Sequence, residues 1–360
     1  MMATETAGRA ERYVALDAMR GVAALLVVIL HSERMLQGQW APGGYLAVDM
    51  FFALSGFVIA HSYDARIAAG LSSLRFVTLR AIRFWPLYVL GLSLGILHQL
   101  LLILTHNDHA MSFGVLALAS FLALIFVPGP VRHGGNLYPL NAPSWSLFME
   151  LIANAAYAIA FPKLTARVLG VIAVIGGLGF AILCLRHGSA DLGATIGTLA
   201  GGVARTAFSF AVGLLIYRKR WRPFALPVPM LAAIVTLLLI CPVPSGWRAI
   251  YDIVFVLILS PVLVAVGASS RPSPRLMGVS ARVGLVSYPV YAIHRPLIDI
   301  ITPVVEKLQI PPLVAAILFV VGLILLGLML DRFFDQRVRR IITVRLGLRQ
   351  ERPLPEASLP

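Results

Sequence analysis

The sequence predicts an all-α, polytopic integral membrane protein with about ten transmembrane helices and one further re-entrant or interfacial segment. Three observations carry this. The 360 residues are 59% hydrophobic and only 13% charged, more apolar surface than a soluble domain of this length can bury. The apolar runs are long and continuous, unlike the short alternating strands of a barrel, and a helix satisfies its own backbone inside lipid. The basic residues collect between those runs, where they set orientation.

Eleven runs follow in order, at 14–33, 44–63, 84–105, 112–128, 145–161, 167–185, 196–217, 227–242, 248–268, 283–303 and 312–331. Each is bounded by Pro, Gly or charge. A span takes roughly 20 residues, with a lower limit of about 17. Ahead of the first run stand Arg9 and Arg12, and no small-residue cleavage site follows it, so the first helix is read as retained. Arg66, Arg75, Arg80 and Arg83 stand between the second and third runs. "YRKRWR" (217–222), "RPSPR" (271–275) and the tail with Arg332, Arg337, Arg339 and Arg340 complete five basic segments. All five should lie in the cytoplasm. Five runs separate the second basic segment from the third, an odd number, so one of them does not cross. The candidates are 112–128 and 145–161. Either leaves both termini inside, with a cytoplasmic arm over 1–13, a membrane domain over 14–340 and a disordered cytoplasmic tail over 341–360.

The formal net charge of +14 would suggest nucleic acid in a soluble protein. Here it reads as positive-inside loops, and no nucleic-acid partner is expected. Cys184 and Cys241 sit in apolar surroundings and read as small buried hydrophobes; no metal site is expected.

Polar residues inside the runs carry the functional signal, because ionisable groups in lipid are costly and usually line a pocket. In "LDAMRGVAALLVVILH" a turn of about 100° per residue puts Asp17, Arg20 and His31 on one face, His31 about 16 Å beyond Arg20. A snorkelling arginine and a helix-end histidine are the bland alternatives. Asp49 precedes two phenylalanines, and Gly56, seven residues on, lets a helix or ligand come close. Arg80 and Arg83 are either topology markers or a guanidinium fork for a phosphorylated ligand. After Trp145, Ser146, Glu150 and Asn154 fall four apart and form one polar stripe. Glu150 there needs a cation, a proton or a hydrogen-bond network. In "VGLVSYPVYAIHRPLI", Ser287, Tyr291 and His294 share a face, with Tyr288 alongside and Pro296 in position to distort the helix. A tyrosine-rich packing face is the plain alternative.

Together these pieces resemble membrane acyltransferase family three. They are "LDAMRG…H", "VDMFFALSGF", Arg80 and Arg83 before "WPLY", "PSWSLFME" and "SYPVYAIHRP", in the family's order over about residues 14–300. Phe148 stands where members often carry serine, and Leu151 where a second acid is common. The resemblance implies a ten-helix fold in the bacterial inner membrane and transfer of an acyl group, commonly acetyl. The donor would be acetyl-CoA or another acyl-CoA, used as co-substrate with no bound cofactor. The acceptor would be a hydroxyl of a cell-surface polysaccharide or its lipid-linked precursor. On this reading His31 is the general base, and its reference pKa of about 6.5 suits the role. Glu150 or Asp49 would orient the imidazole. Arg20, Arg80 and Arg83 would hold the donor. Asp17, Gly56, Trp145, Ser146, Asn154, Tyr288, Tyr291 and His294 would line the substrate pocket. If 145–161 crosses, Glu150 reaches the level of His31 and Asp49, which makes 112–128 the re-entrant piece. A proton-coupled transporter or translocating subunit, for which membrane His and Glu residues are also typical, is the alternative.

Overall fold

The computed structural model describes residues 13–129 and 135–348. The outer parts of the N-terminal arm and the C-terminal tail therefore lie outside the described residues. Among those described, helix follows helix: α1 (Val14–His31), α2 (Glu33–Leu36), α3 (Ala47–Ala68), α4 (Ser73–Leu104), α5 (Phe113–Leu124), α6 (Ser144–Ala160) and α7 (Ala166–His187). Next come α8 (Leu199–Arg218), α9 (Val228–Ile240), α10 (Ser245–Val254), α11 (Ser260–Ser269), α12 (Pro274–Lys307), α13 (Pro312–Leu330) and α14 (Gln336–Arg345). Single π-helical turns join α10 to α11 and α13 to α14. The helix thus continues to Arg345, into the segment expected to be tail.

Among the described residues, nine segments are long and apolar enough to cross a bilayer. The two shorter apolar helices differ in what they do. α9 has 13 residues, yet Val228 packs on Ala15 and Ala18 at the start of α1, while the Leu239 carbonyl accepts from Gly43 N beyond the far end of α1. It runs the length of the bundle beside α1, which makes ten crossings. α5 does not. It packs on the outer half of α4, its Ala123 carbonyl accepts from Tyr88 Oη at mid-helix, and the chain then returns. Gly129 N meets the Leu137 carbonyl, and Tyr138 Oη bonds the Phe126 carbonyl, so both legs of the dip are tied together. The segment 112–128 is the re-entrant one.

The bundle has two unlike ends. At one, the start of α1 meets the ends of α3 and α8: Arg218 pairs with Asp64 at 2.7 Å, and Arg222 reaches Tyr13 Oη at 3.2 Å. The other end holds His31, the start of α3 and the end of α12, where Arg34 pairs with Glu306. The segments 66–83, 218–222, 271–275 and 332–345 all fall at the first end.

Small residues decide which helices touch. α1 and α12 run side by side in the same direction, because Gly21 and Gly284 let their backbones meet. A Cβ at Gly21 would run into the Val283 carbonyl, and one at Gly284 into Asp17. Gly56 and Gly213 do the same for α3 and α8. Helix α12 passes through Pro289, Pro296 and Pro303 without breaking. Pro296 has no N–H to give the Ala292 carbonyl, and Asn141 Nδ2 donates to that carbonyl instead, at 2.8 Å.

Candidate active site

The close pairing of α1 and α12 sets the site. It brings Arg20 to Ser287 and His31 to His294. Arg20 Nε donates to Ser287 Oγ at 2.9 Å, and Nη2 reaches Asp17 at 3.0 Å and the Gly284 carbonyl at 3.2 Å. At the other end of α1, half-buried His31 holds its Nδ1 2.9 Å from the Val27 carbonyl and 3.1 Å from His294 Nε2. His294 is fully buried, with Nδ1 2.8 Å from the Tyr291 carbonyl.

Two cavities flank these residues. The outer one, about 1200 Å³, lies at the His31 end. His31, Tyr45, Trp145, Asp191, Arg248 and Arg295 are among its lining residues, with Asn107 and Asn136 adding amides. Asp191 stands in the loop after α7. The second cavity, about 260 Å³, lies deeper, toward the basic end. Arg20, Arg80 and Arg83 line it with Ser55, Glu150 and Ser287. Val48 and Tyr291 line both cavities, so the wall between them is thin. Tyr291 Oη meets Ser146 Oγ at 2.7 Å and donates to the Pro143 carbonyl at 3.1 Å, while Phe51 stands edge-on to its ring.

The carboxylates expected beside His31 are elsewhere. Glu150 Oε1 accepts from Ser55 Oγ at 2.5 Å and from Arg80 Nη2 at 3.1 Å, because α6 turns this face toward α3 and α4. Asp49, wholly buried, faces α8 instead. Arg205 grips it with two hydrogen bonds, one of 2.9 Å from Nε, and gives its other protons to the carbonyls of Tyr45, Ala190 and Leu192. Among the described residues, the side chain in hydrogen-bond contact with His31 is His294.

The remaining expected residues divide. Arg83 is 37% exposed, lies 3.5 Å from Asp335 and stacks over Tyr288, whose hydroxyl donates to the Phe84 carbonyl. Arg80 Nε is buried and has no partner among the described residues. Trp145 packs under the Arg205 guanidinium, 5.9 Å from its centre. Gly56 serves helix contact. Asn154 is buried in α6, lines neither cavity and has no hydrogen-bond partner among the described residues.

Arg205 was missed at the sequence level. It is a lone arginine amid small residues in "GGVARTAF", and its need for a buried carboxylate was the available signal. Tyr45, Arg248 and Asp252 extend the same clamp: Tyr45 Oη donates to Asp252 at 2.6 Å and accepts from Arg248 Nε at 2.6 Å.

Comparison with known proteins agrees with this architecture. Residues 13–331 match the model of a family described as an acyltransferase domain. The chain is 41% identical over 179 residues to protein 2 in the picA locus of Rhizobium radiobacter, an overlap of 46% of this chain and 93% of that protein. It is 30% identical to the exopolysaccharide production protein ExoZ of Rhizobium meliloti, over 32% of this chain and 33% of that one. It is 25% identical to a Staphylococcus aureus protein that bears the name of an O-acetyltransferase, over 83% of this chain and 53% of that one. The chain thus spans about a third of one of these relatives and about half of another. No solved structure gives a significant match. With the family's match running from the first helix to the end of the last long apolar one, and the polar side chains of α1, α4, α6 and α12 gathered around two facing cavities, the chain belongs to membrane acyltransferase family three.

Proposed function

We propose that this protein moves an acyl group, in the first instance acetyl, from acyl-CoA to a hydroxyl of a carbohydrate, with His31 as general base. The observation that carries the reading is the pair of cavities back to back. Three arginines line the deeper one and His31 the outer one, with Tyr291 and Val48 common to both. Guanidinium forks suit phosphate, and Arg83 is open enough to receive it. Coenzyme A is too charged to cross lipid, so the arginine-lined cavity faces the cytoplasm. The clustering of basic segments at that end supports the same orientation, with the protein in the bacterial inner membrane and both termini on its cytoplasmic side. The outer cavity has the mixed lining that polyhydroxylated ligands use, with amides, both signs of charge and the aromatic side chains of Tyr45, Trp145 and Tyr291. Tyr291 and Ser146 stand where an acyl arm would pass from one cavity to the other.

Purified protein incubated with radiolabelled acetyl-CoA and candidate glycans tests the activity. Mass spectrometry of surface glycans with and without the gene product identifies the acceptor. Label on a glycan is the expected result. A transporter or translocating subunit would leave acetyl-CoA unconsumed, and that outcome would overturn the reading.

A further inference from the structure

We infer that His294 is a positioning residue that fixes the tautomer of His31 and makes His31 Nε2 the atom that takes the acceptor's proton. The inference rests on the acyl-transfer reading above and names the group through which His31 acts.

Backbone carbonyls fix where the protons of both rings sit. A carbonyl oxygen accepts and never donates. His294 Nδ1 lies 2.8 Å from the Tyr291 carbonyl and 3.2 Å from the Val290 carbonyl, so that nitrogen carries the proton. In the neutral ring Nε2 is then a bare lone pair, 3.1 Å from His31 Nδ1. His31 Nδ1 also faces a carbonyl, that of Val27 at 2.9 Å, and so carries a proton of its own. Its N–H is forked between Val27 and His294. The remaining nitrogen of His31, Nε2, is left without a proton. The opposite tautomer would set the lone pair of Nδ1 against two acceptors at once.

This arrangement replaces the carboxylate that usually orients a catalytic histidine. The carboxylates within the helices nearby are paired with arginines, Glu150 with Arg80, Asp49 with Arg205, Asp17 with Arg20 and Asp299 with Arg295. A neutral imidazole anchored on backbone carbonyls takes the place of an acid, and α12 is locked in register by Asn141 on the Ala292 carbonyl. In the transfer, the acceptor O–H gives its proton to His31 Nε2 and its oxygen bonds the acyl carbon. The carbon–sulfur bond of the thioester breaks. The departing thiolate takes the proton from the imidazolium and leaves as the thiol. While His31 is charged, its Nδ1–H bond to His294 is charge-assisted and shorter.

The test compares His294→Leu, which removes the acceptor, with His294→Gln, whose amide oxygen can reach His31 Nδ1. Partners that orient metal-ligating histidines are typically worth about 10–100-fold, and the same scale is expected here. His294→Leu should lower kcat by that much with little change in KM, and His294→Gln should restore most of it. ¹⁵N-histidine spectra of the protein in lipid, with His31 assigned from a His31→Gln sample, give a readout independent of turnover. The wild type should show His31 protonated at Nδ1 and bare at Nε2, with the Nε2–H form growing in His294→Leu. An unchanged kcat in His294→Leu, or His31 protonated at Nε2 in the wild type, would overturn the inference. A protein that transfers no acyl group yet shows the His294-dependent tautomer would instead sink the acyltransferase reading and leave the histidine pair standing.

Discussion

At the scale of the residue, the site turns on which acid meets which base. The face shared by Arg20 and His31 was legible, because a helix turns predictably and the eleven-residue gap is close to three turns. The need of Glu150 for a cation was legible too; which cation it finds was not, since Arg80 stands 70 residues away on another helix. His31 and His294 are 263 residues apart and meet only because glycines bring α1 and α12 together. No local pattern encodes that contact. Two substitutions separate roles here. Arg83→Lys keeps charge and loses the fork, and hydrogen bonds to charged groups contribute about 1.5–3 kcal/mol. Acyl-CoA affinity should fall about tenfold or more while folded yield holds, as read by equilibrium binding to the purified protein. Glu150→Gln leaves Arg80 without its counter-charge beside the arginine-lined cavity. It should alter donor affinity more than it alters the rate at saturating donor. A loss confined to kcat would instead assign Glu150 to the chemistry.

At the scale of the element, buried charge acts as a clasp. Arg205 ties α8 to α3 through Asp49, and ties the loop after α7 to both through the Ala190 and Leu192 carbonyls. Removing one partner of a buried pair typically costs about 3–5 kcal/mol, because the other charge is left unpaired. Asp49→Ala and Arg205→Ala should each lower thermal stability sharply. The double variant should be less damaged than the sum of the two. Strict additivity in that double-mutant cycle, measured by thermal unfolding in detergent, would count against the clasp. The clasp was hidden in the sequence because a single arginine in a run of small residues gives no period to read. The helix count, by contrast, was legible in the apolar runs, 227–242 included; what the sequence hid was that α9, with only 13 residues, reaches along the bundle to both ends of α1.

At the scale of the whole molecule, the parity of the basic segments and the packing of the helices agree. Counting loops left 112–128 and 145–161 open. Packing resolves them, since α5 turns back at the level of Tyr88 while α6 runs on to meet Ser73 at the opposite end through the Ala158 carbonyl. The proposed orientation follows from charge. In a variant with Cys184 and Cys241 replaced, Gln39→Cys should react with an impermeant thiol reagent added outside intact cells, and Lys219→Cys should react only after the membrane is opened. Labelling of Lys219→Cys from outside would invert the proposed orientation and move the arginine-lined cavity away from its donor.

The proposed chemistry turns on the imidazole at the end of α1, which takes a proton during acyl transfer. The most direct measurement is the rate of acetyl transfer from acetyl-CoA to glycan by purified His31→Gln beside the wild type at saturating donor. Glutamine keeps much of the size and hydrogen bonding but cannot serve as a base at neutral pH, and a positioned general base contributes about 10²–10⁴ in rate. The expected result is a loss in that range with acyl-CoA binding and thermal stability unchanged. Near-normal turnover by His31→Gln would contradict it and leave His31 a structural partner of His294.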